Sequence, residues 1–111
     1  MQKVIFSGKS GSNYSFQSRD PATNWAKERG VAVFATKTSF GWRVVGVSSL
    51  RGRDHDVQPI WRYAQARRFG ANKVFVCPEH DTRRRSDITA DINGGLTALY
   101  SIGQDTLPRA A

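Results

Sequence analysis

The chain has 111 residues, 39% of them apolar and with 3 Trp, 3 Tyr and 6 Phe, which suffices for one folded core but not for two. No stretch approaches the roughly 20 apolar residues of a membrane helix, no N-terminal apolar run reaches the about 7–15 residues of a secretory signal, and the single Cys77 excludes an internal disulfide. Lys and Arg number 17 against 9 Asp and Glu, a net charge of +8 carried mostly by arginine. The expectation is a soluble cytoplasmic protein with an anionic partner, because guanidinium forks match phosphate oxygens and guanine edges.

In chain order, residues 2–6 and 14–18 read as two short strands joined by a glycine- and serine-rich turn. Residues 19–29 are polar and read as a loop. Two runs rich in β-formers, 31–36 and 42–48, read as a central hairpin. A charged loop containing Arg51, Arg53 and His55 follows. Asp56 is placed to cap a helix with Pro59 in its first turn, and Gly70 is placed to close it. On that helix Val57, Ile60, Trp61 and Ala64 recur at helical spacing, which predicts that they face the core. Residues 72–77 read as a further strand. A second helix is expected over 82–93, capped by Asp81 or Thr82, with Ile88 and Ile92 inward and Asn93-Gly94-Gly95 at its end. The predicted class is α/β (α+β): a small mixed or antiparallel sheet with two main helices, one domain over 1–103 and a loose tail over 104–111.

The order of these segments resembles that of the GIY-YIG nucleases. Gly30-Val31-Ala32 and Val44-Val45-Gly46 stand where that family carries its two naming motifs. The opening SGKSGSNYSFQS, the approach NWAKERGVAVF, and the stretch from Ala66 to Val76 follow the same layout, so the resemblance covers about residues 2–95. It implies a nuclease scaffold, with Arg53 as the only plausible retained family residue and Arg51 as its alternative. It also implies that the chemistry is largely gone. The two motif tyrosines fall on Ala32 and Val44, which cannot hydrogen-bond a water. The metal-binding glutamate falls near Thr89, a poor ligand for a hard dication. Asp87 and Asp91 are weak substitute ligands. On this reading there is no cofactor, Mg²⁺ entering only if some nuclease activity survives.

Other constellations carry less. Gly8-Lys9-Ser10 ends like a phosphate loop but reads as a turn, since Gly11, Ser12 and Asn13 oppose the helix such a loop needs. Cys77, Glu79, His80 and His55 lack the paired spacing of a zinc site, and Cys77 with His80 lacks the third group of a nucleophilic pair. Arg83-Arg84-Arg85 opens the second helix against its own dipole, which hints at an anion there. The candidate nucleic-acid contacts are therefore Lys9, Arg51, Arg53, Arg62, Arg67, Arg68, Arg83, Arg84 and Arg85. Trp25, Phe40 and Trp42 lie in or beside loops, where an exposed ring would suit base stacking, although Trp42 and Trp61 are expected in the core.

Three functions follow as expectations. The leading one is a non-catalytic nucleic-acid-binding protein. The second is an interaction protein with a protein partner, comparable to compact mobile-element proteins that block host nucleic-acid enzymes. The third is a diverged metal-dependent nuclease. None involves a membrane.

Overall fold

The structure, a computed structural model, describes residues 2–53 and 56–102, the side chains of 97–102 excepted. His55 and the segment expected to be a loose tail lie outside the described residues. The elements run β1 (Lys3–Ser7), β2 (Asn13–Arg19), β3 (Arg29–Thr38), β4 (Gly41–Arg51), α1 (Gln58–Arg68), β5 (Lys73–Pro78) and α2 (Thr82–Ile102). The strands form one sheet in the order β1-β2-β5-β3-β4, with every neighbouring pair antiparallel. This is the expected small α+β architecture with two helices.

The central hairpin is longer than its apolar runs suggested, because the ladder continues past them. Arg29 pairs with Arg51 at one end, and Thr38 pairs with Gly41 at the other. β3 is buried from Gly30 to Ala35, and successive side chains leave its two faces in turn. Val31, Val33 and Ala35 join Phe6, Phe16, Phe75 and the α2 residues Ile88, Ile92 and Leu96 in one core. Ala32 and Phe34 join Trp25, Val45, Val74, Val76 and Ala66 of α1 in the other. The helices therefore cover opposite faces of the sheet.

Three expectations are corrected here. The first concerns Trp25, which is only 2% exposed. Residues 25–27 form a 3-10 turn within the predicted loop, and this folds the indole edge-on against Phe34 and Tyr63, with ring centroids 5.5 and 5.7 Å away. A polar stretch concealed a core anchor because one large ring buries as much as several small side chains.

The second concerns α1. Its inward residues are Pro59, Tyr63 and Ala66, whereas Val57, Ile60 and Trp61 are 52%, 49% and 68% exposed and Ala64 is also exposed. The helix carries two apolar stripes. The sheet accepts the one with the small Ala66, because that residue lets the helix approach Gly46 and Phe34 closely. At its start Val57 occupies the N-cap position, and the Asp56 carboxylate accepts a hydrogen bond from the Gln58 N–H. Gly70, at φ 99°, closes it as expected.

The third concerns α2, which does not end at Asn93-Gly95 but runs to Ile102. Gly94 and Gly95 instead mark a close approach. A Cβ on Gly94 would stand 3.3 Å from Cδ of Lys9, and one on Gly95 3.6 Å from the Lys9 amide. The β1–β2 turn thus lies directly on the helix backbone.

Candidate anion-binding site

The site arises from the register of the central hairpin. Arg29 opens β3 and Arg51 ends β4, and the ladder sets them directly opposite each other. Like charges in that relation oppose pairing by about 0.2–1 kcal/mol. Both belong to the row of β3 and β4 residues that continues through Val31 and Ser49 on the α2 side of the sheet. Gly52, at φ 70°, then turns the chain sharply and delivers Arg53. Arg85, one turn into α2, completes the group.

These four arginines line one open cavity of about 480 Å³. His80 also lines it, and Ser49, Thr82 and Ser86 add hydroxyl groups. Arg85 is 6% exposed. Its guanidinium donates to the carbonyls of Glu79 and His80, at 3.3 and 3.5 Å, and to Oγ1 of Thr82 at 3.4 Å. These bonds are long, and each acceptor is neutral. Among the described residues no carboxylate comes within 4.0 Å of a guanidinium nitrogen of Arg29, Arg51, Arg53 or Arg85. The nearby acids are otherwise engaged: Glu79 pairs with Arg84 at 3.0 Å, and Asp81 accepts the Arg84 N–H at the start of α2. A buried guanidinium without a counter-charge is costly unless an anion supplies one.

No protein-family model, curated protein or solved structure matches this chain. The site is therefore read from its own geometry.

Of the eight arginines and one lysine singled out in the sequence, Arg51, Arg53 and Arg85 meet in the cavity. Arg83 and Arg84 are exposed on the adjoining turn. Arg62, Arg67 and Arg68 sit on α1, across the sheet, with the Arg67 guanidinium 5.8 Å above the Tyr63 ring. Lys9 packs on Gly94, roughly 13 Å along α2 from Arg85 at 1.5 Å per residue. Arg29 is the residue that sequence reasoning missed. It fell in a stretch read as loop, and only its pairing with Arg51 reveals it.

The positions that the GIY-YIG resemblance puts in tyrosine places lie on opposite faces. Ala32 is buried on the α1 side, and Val44 packs against the α2-side core. A bulge between Phe34 and Ala35 shifts the register before Val44 is reached. Thr89, at the glutamate position, spends its hydroxyl on the carbonyl of Arg85 at 2.8 Å. Asp87 is exposed. Among the described residues no three His, Cys, Asp or Glu side chains gather where they could hold a metal ion. These residues do not fit the divalent ion that the family would require. The Cys77 thiol is pushed upward by burial first and by Glu79 second, which suits an inert strand-end cysteine.

Asp91 has another role. Its Oδ1 accepts the Ser10 N–H at 2.8 Å, and its Oδ2 accepts the Ser10 and Tyr14 hydroxyls at 2.6 and 2.7 Å. Its backbone carbonyl accepts the Lys9 N–H. A Cβ on Gly8 would overlap the carboxylate, so a side chain there would displace Asp91 from these bonds. The carboxylate therefore clasps the β1–β2 turn to α2, and the Ser10 hydroxyl, followed by Tyr14, holds its pKa below the ordinary aspartate range. With a depressed folded-state pKa, the stabilisation is complete above the unfolded value of about 3.9. It is lost as pH falls through the lower folded value. Melting scans across acidic pH are expected to fall more steeply for the wild type than for Asp91→Asn. Equal acid slopes would show that the Asp91 carboxylate does not stabilise the turn on α2.

Proposed function

We propose that this chain is a non-catalytic nucleic-acid-binding protein of the cytoplasm, built on a degenerate GIY-YIG-type scaffold. The observation that carries the reading is the convergence of Arg29, Arg51, Arg53 and Arg85 on one cavity with no carboxylate of the described residues against them. A polymer of phosphates suits this arrangement better than a small anion. Exposed Arg83 and Arg84 add positive charge to the same first turn of α2, and the whole chain carries +8. The lost tyrosine and glutamate positions, and the commitment of Asp91 to the turn, support binding without cleavage.

The test is affinity for labelled DNA and RNA oligonucleotides as a function of salt, scored for cleavage on the same samples with Mg²⁺. Four phosphate contacts release counterions with a slope near −0.9 each. Binding is then expected to weaken about 100-fold between about 50 and about 200 mM salt, with the oligonucleotide intact. A flat salt response, or Mg²⁺-dependent cleavage, would refute the reading. Absence of binding at low salt would refute it in favour of a protein partner, which the outward Val57, Ile60 and Trp61 of α1 would meet.

A further inference from the structure

We infer that the arginine cavity receives the terminal phosphate of a nucleic-acid strand, a phosphomonoester, in preference to an internal phosphodiester. This deepens the nucleic-acid reading and rests on it.

The first argument is depth. Arg85 is 6% exposed and lines the cavity from within, while Arg29, Arg51 and Arg53 are exposed around it. An internal phosphate sits flush in its backbone, flanked by two sugars, and offers two non-bridging oxygens on one side. Exposed side chains reach such a group well, but a recessed one does not. An end phosphate projects past the last sugar and offers three oxygens, so it can enter a recess and be held from several directions at once.

The second argument is charge. A monoester carries about −1.5 to −2 near neutrality, and a diester carries one negative charge. Four guanidinium groups with no carboxylate against them among the described residues select for the larger charge, and planar forks grip several phosphate oxygens bidentately. The Arg29–Arg51 pair, unfavourable by itself, is relieved most by a dianion between its members.

The third argument is the remaining donor set. Ser49, Thr82 and Ser86 bring hydroxyls to the same cavity. Thr82 begins a helix of 21 residues, so the positive end of its dipole opens there. Among the described residues no Phe, Tyr or Trp lines the cavity, so any stacking on the base falls to the His80 ring or a guanidinium plane, and neither selects one base. Recognition is then by charge and position and is indifferent to sequence. At about 480 Å³ the cavity also admits part of the terminal nucleotide with its phosphate.

The experiment uses the full chain and three single-stranded oligonucleotides of one sequence: one with a 5′-phosphate, one with a 3′-phosphate and one with hydroxyls at both ends. Affinities are measured by anisotropy at fixed salt, for the wild type and for Arg51→Gln, an exposed substitution that leaves the core intact. At least one phosphorylated end is expected to bind about 10-fold or more tightly than the hydroxyl form, as charge-assisted hydrogen bonds require. The identity of that oligonucleotide assigns the end. Arg51→Gln is expected to reduce the preference to within about 3-fold. Equal binding of all three oligonucleotides would overturn the end-phosphate inference and leave nucleic-acid binding standing. A preference that survives in Arg51→Gln would overturn this cavity as its source. No binding of any oligonucleotide would overturn both the inference and the reading beneath it.

Discussion

Replacing Arg29, Arg51 and Arg53 together by glutamine is expected to weaken nucleic-acid binding by about 100-fold near physiological salt while leaving the fold intact. Each lost phosphate contact removes about 0.7 logarithmic units of affinity at that ionic strength, and the slope of affinity against salt should fall by nearly three. All three residues are exposed and contribute nothing to either core. Glutamine keeps most of each aliphatic stem, including the part of Arg29 that lies near Gly52. Because Arg29 and Arg51 are directly opposed, their neutralisation should also raise the melting temperature by a few degrees. A site built for an anion is strained without it, and a gain in stability together with a loss of binding is the signature of that strain. Titration by anisotropy and melting by calorimetry check the two halves. Unchanged affinity in the triple variant would mean that the cavity is not where nucleic acid binds.

The second large effect concerns the backbone behind the site. Gly30→Ala is expected to destabilise the protein by about 3 kcal/mol, lowering its melting temperature by about 10–15 °C. Gly30 pairs with Pro78 across the β3–β5 ladder, and β5 passes so close that an added Cβ would overlap the carbonyl oxygen of Cys77. The carbonyl carbon of Cys77 and the amide of Glu79 would each stand 3.0 Å away. All of these are main-chain atoms, so no rotamer change relieves the overlap. The strands would have to separate, and the bond from the Glu79 N–H to the Arg29 carbonyl, 2.9 Å long, would break. That loop also supplies the Glu79 and His80 carbonyls to Arg85. Oligonucleotide affinity should therefore drop along with stability. Denaturant unfolding measures the first effect, and a change below about 0.5 kcal/mol would show that the ladder yields more readily than this packing implies.

The class of the fold was legible in the amino-acid order. The runs over 31–36 and 42–48 are rich in β-branched and aromatic residues, as buried paired strands require, and Gly70 and Pro59 marked the ends of α1 by backbone chemistry alone. Ile88 and Ile92 identified the inner face of α2 because no other apolar pair competed with them. The same logic failed on α1, where Val57, Ile60, Trp61 and Ala64 formed the stronger stripe yet face outward. Periodicity reports that a stripe exists, whereas the surface it meets decides whether it is buried. Asn93-Gly94-Gly95 misled for a related reason. Glycine ends helices when it takes a positive φ, but here it remains helical and makes room for the Lys9 turn.

The candidate site was only partly visible. Arg51, Arg53 and Arg85 were marked by charge, but nothing local distinguished them from Arg62, Arg67 and Arg68, which occupy the other side of the sheet. Composition by itself determined that this chain is basic, arginine-rich, limited to one core and without an internal disulfide, because those properties are sums over residues. The tertiary structure alone decided which cations act together. Arg29 and Arg51 are 22 positions apart, and 34 positions separate Arg51 from Arg85. Only antiparallel register and the docking of α2 on the sheet bring them to one cavity, since cooperation between charges depends on separation in space and not along the chain.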